Sequence, residues 1–162
     1  MTLSLAVQFV SKAKHLPDRA QVRRWALAAN AVHDAGGDAV VTIRYVDEKE
    51  GRALNLAFRQ KDYATNVLTF VHEPATSPLA GRGSKRVSNH YVADIAVCAP
   101  VVAREAREQK KPVAAHHGHM VIHGMLHAQG FDHEIGADAA AMEATEIALL
   151  RRFRIKNPYE IE

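Results

Sequence analysis

The sequence predicts an α+β, or mixed α/β, fold: one small domain with a sheet of about four strands packed with about five helices. Three observations point there. Four short runs are rich in β-branched residues or alternate apolar with polar ones, the stretches between them are helical in period and stop at glycine or proline, and 162 residues suffice for one core. Residues 1–162 are therefore read as a single domain, without internal repeat or linker.

Leu3, Leu5, Val7 and Phe9 alternate with polar or small residues and form the first strand. Pro17 and Asp18 open a helix carrying Val22, Trp25, Leu27, Ala29 and Val32, which Gly36 and Gly37 stop. AVVTIRYV, 39–46, is a strand by its β-branched content, and a short helix over 48–58 follows with Asp47 at its N-cap. VLTFV, 67–71, and YVADIAVC, 91–98, are the third and fourth strands. The stretch between them, rich in proline, glycine and serine, is long for a loop in a compact domain, a feature of functional or disordered segments. Pro100 fits the first turn of a helix to about residue 111, where Pro112 forces a break. A further helix covers 116–129 and ends at Gly130, and the last runs over about 137–153.

Composition narrows the function. No apolar run approaches the roughly 20 residues of a membrane span, and the N-terminus lacks the basic segment and cleavage site of a signal peptide, so the expectation is a cytoplasmic protein with no membrane partner. The single cysteine, Cys98, excludes an intramolecular disulfide and a cysteine-rich zinc site, leaving His, Asp and Glu as metal ligands; on a strand it reads as a small core hydrophobe. A formal charge of +3 and a pI near 9.1 suit an anionic partner but fall short of a dedicated nucleic-acid binder.

The segment HGMLHAQGFDH, 123–133, carries the most specific signal. Residues four apart on a helix lie about 6 Å from one another on one face, so His123 and His127 can address one ion. Gly130 can end the helix in a left-handed conformation and return the chain so that His133 becomes the third ligand. Three imidazoles plus an open position for water are the arrangement of catalytic zinc. The spacing is that of the metzincin signature, except that Gly124 stands in place of the glutamate base. Without that base peptide hydrolysis is poorly supported, whereas a phosphodiester needs chiefly charge stabilisation at its phosphoryl oxygens. Three imidazoles also suit nickel, copper or iron. His116, His117 and His119 read as solvated helix residues; Glu143 and Glu146, on the last helix, could approach the site, but most glutamates on such helices face water, and they are read so.

The required cation beside the metal has candidates in LNLAFRQKDYATNVLTF, 54–70. Arg59 and Lys61 follow the short helix, and an arginine fork matches phosphate geometry. Taken alone, the cluster reads rather as a solvated helix end with a weak salt bridge. The basic stretch GRGSKR, 81–86, with Lys85 and Arg86, suits an RNA backbone or a plain surface loop. Asp132 can orient a histidine or cap the turn.

Three stretches in order, LN-x3-R-x-KD-x2-TNVL, ADIAVC and HGMLHAQGFDH, resemble the motifs of the YbeY endoribonucleases, also called rRNA maturation factors. Ala93, Thr69, Val71, Ala128 and Phe131 depart from the usual residues, and none is a proposed ligand. The resemblance implies one Zn2+ on His123, His127 and His133, and Arg59 as the key cleft residue acting on RNA. It also implies a cytoplasmic role in 16S ribosomal RNA 3′-end maturation and ribosome quality control, with ribosomal RNA and the small ribosomal subunit as partners and no DNA. The resulting expectation is a zinc-dependent, single-strand-preferring endoribonuclease. Its alternatives are a non-catalytic assembly factor with structural zinc and, disfavoured by Gly124, a peptidase.

Overall fold

The computed structural model describes residues 3–31, 38–72, 91–131 and 136–160. Strands β1 (Leu3–Phe9), β2 (Ala39–Val46), β3 (Val67–His72) and β4 (Tyr91–Cys98) alternate with helices α1 (Arg19–Asn30), α2 (Glu48–Arg59), α3 (Ala99–Glu108), α4 (Val113–Ala128) and α5 (Gly136–Arg152). The four strands form one sheet in the order β1-β2-β4-β3. β1, β2 and β4 run parallel, and β3 lies antiparallel along β4, with Thr69 opposite Ile95. The predicted α+β architecture and its elements are thus present.

Local differences have physical causes. α1 starts at Arg19 because the Asp18 carboxylate accepts the Gln21 N–H at 2.7 Å. The stop expected at Gly36 and Gly37 lies outside the described residues. Asp47 occupies the N-cap of α2 but makes no cap bond: its carboxylate accepts the Ser11 hydroxyl and the Lys12 N–H, tying the segment after β1 to the β2–α2 junction. α2 reaches Arg59, and Gln60, in the left-handed region at φ 57°, closes it. α4 begins at Val113, three residues earlier than expected, since the Pro112 carbonyl itself accepts the His116 N–H at 3.1 Å.

Along β2 the residues Ala39, Val41, Ile43 and Tyr45 are buried against the helices while Val40 is exposed, the period-2 pattern of a strand with one core face. The core lies between that face and α1, α4 and α5. α4 is its centre, touching α1, α3, α5, β3 and β4. A helix so enclosed buries its polar residues too, and His116, His117 and His119 are 3 %, 1 % and 8 % exposed, which corrects their reading as solvated. Gly118 admits the closest neighbour: a methyl there would stand 2.9 Å from Ile155 Cδ1 and 3.0 Å from Trp25 Cε2. Among the described residues no helix is long and apolar enough to cross a membrane.

Candidate active site

α4 carries His116, His119, His123 and His127 three, four and four residues apart, so their rings stack along one stripe, with centroids 6.0, 6.0 and 4.5 Å from ring to ring. At its C-terminal end the Nε2 atoms of His123 and His127 face one another at 3.1 Å. Their Nδ1 atoms face pure acceptors: His127 Nδ1 is 3.0 Å from the Phe131 carbonyl, and His123 Nδ1 is 2.5 Å from Glu146 Oε1. A carbonyl or an ionised carboxylate can only accept, so both Nδ1 atoms carry protons, and in the neutral form of each ring Nε2 presents a lone pair. At that distance either a proton or a metal ion can sit against the two nitrogens, and two neutral imidazoles aimed this way suit a zinc-like divalent ion.

The turn after α4 supplies the Phe131 acceptor. Gly130 adopts φ 98°, the left-handed conformation expected of it, its N–H donates to His127 O at 3.0 Å, and Phe131 N–H donates to Leu126 O at 3.1 Å. His133 and Asp132 lie outside the described residues.

Glu146, on α5, is fully buried, which corrects its reading as water-facing. Oε1 accepts from His123, while Oε2 accepts from His119 Nε2 at 2.8 Å and the Tyr159 hydroxyl at 2.5 Å. Burial alone would raise its pKa, but hydrogen bonds from His119 and His123 hold it down to about 2. His119 itself is depressed by burial and so is neutral. His119, His123 and Glu146 thus form a cluster whose ligand-capable atoms lie within 4.8 Å of one another and could hold a metal ion. The sequence carries a signal for Glu146: it falls between Met142 and Leu149–Leu150, on the buried stripe of α5, where a lone acid needs partners.

The cleft in front of the facing imidazoles has a volume of about 320 Å³ and brings Arg59 together with His123 and His127, along a wall of Asn66, Thr69 and Val71. Asn55 explains why Arg59 reaches it: buried on α2, its Nδ2 donates to Tyr63 O at 2.7 Å and pins the connection to β3. Asn66 is anchored in turn, donating from Nδ2 to Glu105 Oε1 at 3.0 Å while its own carbonyl accepts the Cys98 N–H at 2.9 Å. Glu105 also accepts from buried His116, at 2.9 Å. No carboxylate is among the described residues lining the cleft. Lys61 is exposed and does not line it; Lys85 and Arg86 lie outside the described residues. Cys98 is buried against Gly51 and takes no part.

The sequence profile described as Endoribonuclease YbeY matches residues 8–154. The chain belongs to the endoribonuclease YbeY family. A YbeY endoribonuclease of Thiobacillus denitrificans is 50 % identical over 157 residues, which cover 97 % of this chain and 96 % of that protein. The family member of an Acidovorax strain is 46 % identical over 158 residues, 97 % and 95 % of the two chains. A Thermotoga maritima protein solved in solution shares the fold at a TM-score of 0.56 and 23 % identity, over 97 % of this chain and 99 % of that one. In this YbeY-family chain the described parts of the three resembling stretches thus fall at one place: the first along the cleft, ADIAVC on the strand beside it, and residues 123–128 of the third on α4.

Proposed function

We propose that the chain is a zinc-dependent endoribonuclease that prefers single-stranded RNA. The observation that carries this reading is the 3.1 Å approach of His123 Nε2 and His127 Nε2, both with their protons committed to the other ring nitrogen, in a cleft shared with Arg59. His133, a few residues past the Gly130 turn, is the proposed third ligand. When bound, zinc supplies a Lewis acid against a phosphoryl oxygen and acidifies water. Arg59, beside it, balances the charge that grows on the phosphoryl oxygens as the leaving alkoxide departs. Lys61, Lys85 and Arg86 are proposed contacts to the RNA backbone, whose recognition by lysine and arginine is insensitive to sequence. The relatives' name, endoribonuclease, supports RNA as substrate, and Gly124, where a zinc peptidase of this spacing carries its base, argues against peptide hydrolysis. The cellular role in this reading is 16S ribosomal RNA 3′-end maturation and ribosome quality control, with the small ribosomal subunit as cytoplasmic partner.

The test is cleavage of a single-stranded ribosomal RNA fragment by the wild type, Arg59→Ala and His127→Ala, with metal content and thermal stability measured on the same samples. The wild type should cut, and Arg59→Ala should stay folded and metal-loaded while losing about 100-fold or more in rate. Fragments ending in a 2′,3′-cyclic phosphate would identify the ribose hydroxyl as nucleophile, and a 3′-hydroxyl with a 5′-phosphate would identify water. Equal cutting by all three proteins, or by none, overturns the enzyme and leaves an assembly factor with structural zinc.

A further inference from the structure

We propose that Glu146, held in place by Tyr159, is the positioning residue of the metal centre: it fixes His123 with its proton on Nδ1 and thereby turns Nε2 toward the ion. This rests on the reading that His123 and His127 hold the metal, and it assigns Glu146 and Tyr159 roles outside the ligand set.

The geometry distinguishes an orienting carboxylate from a coordinating one. All three hydrogen bonds to Glu146 come from groups that donate: His123 on Oε1, and His119 and Tyr159 on Oε2. A metal bound directly to Glu146 would have to crowd in beside those donors: Oε2 already accepts twice, and on Oε1 it would share the oxygen with the His123 N–H. The Nε2 atoms of His123 and His127, on the opposite edge of each ring from its Nδ1 hydrogen bond, face each other instead. The charge balance agrees. Glu146 is 0 % exposed on the apolar stripe of α5, and among the described residues its only ion-pair partners are His119 and His123. A cation one imidazole away, on the far side of His123, completes the balance, as in the carboxylate–histidine–metal arrangements that set ligand orientation and basicity.

Tyr159 makes that balance depend on the segment after α5. Phe153 and Ile155 both donate backbone N–H groups to Leu150 O, and Arg154 takes φ 61°, so the chain reverses at the helix end. Ile155 then packs over Gly118 of α4. Tyr159 returns to Glu146 with its hydroxyl and sets its ring edge-on to His119, with centroids 5.8 Å apart. The strap therefore reaches the face of the histidine stripe turned away from the cleft.

The probe is Co2+, titrated into the metal-free protein and followed through its visible absorption band, alongside Zn2+ affinity from chelator competition and the thermal stability of the metal-free form. Glu146→Gln should weaken binding of either ion about 10–100-fold, and Tyr159→Phe by a smaller factor, while both give the wild-type cobalt band at saturation because no ligand is lost. A changed band in Glu146→Gln makes Glu146 a ligand and overturns the proposal, as does unchanged affinity in both variants. Should Glu146→Gln fail to fold, Tyr159→Phe decides alone: lower stability with unaltered metal affinity means the strap is only structural. His127→Ala separates this from the parent reading, because cobalt binding that survives that change removes the facing-imidazole site itself.

Discussion

Gly124 lies so close to Ile95 that a methyl group built on it would stand 3.0 Å from Ile95 Cγ2, with Thr69 Oγ1 at 3.3 Å. The position where a zinc peptidase of this spacing carries its base is here taken up by the contact between α4 and the sheet. The Thr69 hydroxyl also donates to Gly124 O at 3.3 Å, so strand and helix are joined at the same point.

Replacing Gly124 by glutamate should therefore destabilise the protein by about 3 kcal/mol or more, through overpacking and the forced burial of a carboxylate, without creating peptidase activity. Gly124→Ala should cost less, since the gain in helix propensity of ~1 kcal/mol offsets part of the crowding. Thermal unfolding of the three proteins checks this, and a wild-type midpoint in Gly124→Glu would contradict the packing described.

His117 makes stability depend on pH. Burial, with a smaller contribution from the charge of His116, depresses its pKa to about 4, and its ring packs on Tyr45 at 5.6 Å between centroids. The unfolded chain, titrating near 6.5, then binds more protons than the folded one between pH 6.5 and 4. The stabilisation is complete above pH 6.5 and is lost as pH falls toward 4, on the order of 3 kcal/mol. Glu146, held near 2, contributes in the same direction but only below its ordinary value of 4.5. Denaturant midpoints from pH 7.5 to 4.5 should fall for the wild type and flatten in His117→Leu; an equally steep fall in the variant would place the sensitivity elsewhere.

Asn66→Asp replaces a hydrogen-bond donor 3.0 Å from Glu105 Oε1 with a second carboxylate. Hydrogen bonds from His116 and Asn66 keep the Glu105 pKa low, and the variant would set two like charges together, costing about 1–3 kcal/mol near neutral pH. The deficit should shrink as acid protonates one carboxyl. A variant equally unstable at pH 7 and pH 5 would not fit.

Chelation should lower the unfolding temperature and re-added Zn2+ restore it. A site saturated at a thousand times its dissociation constant adds about 4 kcal/mol, and His127→Ala should respond to neither treatment. Calorimetry with and without chelator measures this directly.

The elements were legible because their signals are local. The alternation of β2 and the proline of α3 each act within a few residues, and so does the Gly130 turn that positions Phe131 O against His127. What escaped was tertiary. His116, His117 and His119 look like water-seeking residues until five neighbouring elements close around α4. Glu146 finds its partner 23 residues back in the chain, a distance at which periodicity says nothing about contact. Asp47 shows the same effect in miniature, its capping chemistry diverted to Ser11 and Lys12 from a distant loop.

The enclosure of α4 has a consequence for the timescale of the centre. Backbone amides over 119–126 sit in a helix contacted by three other helices and two strands, so they can meet solvent deuterium only when the whole molecule opens. The frame bearing His123 should therefore be among the last parts to exchange, whereas Arg59 stands at the C-terminal end of α2, followed by the exposed residues Gln60, Lys61, Asp62 and Tyr63. The proposed metal and substrate contacts thus sit on parts of the protein that differ sharply in enclosure.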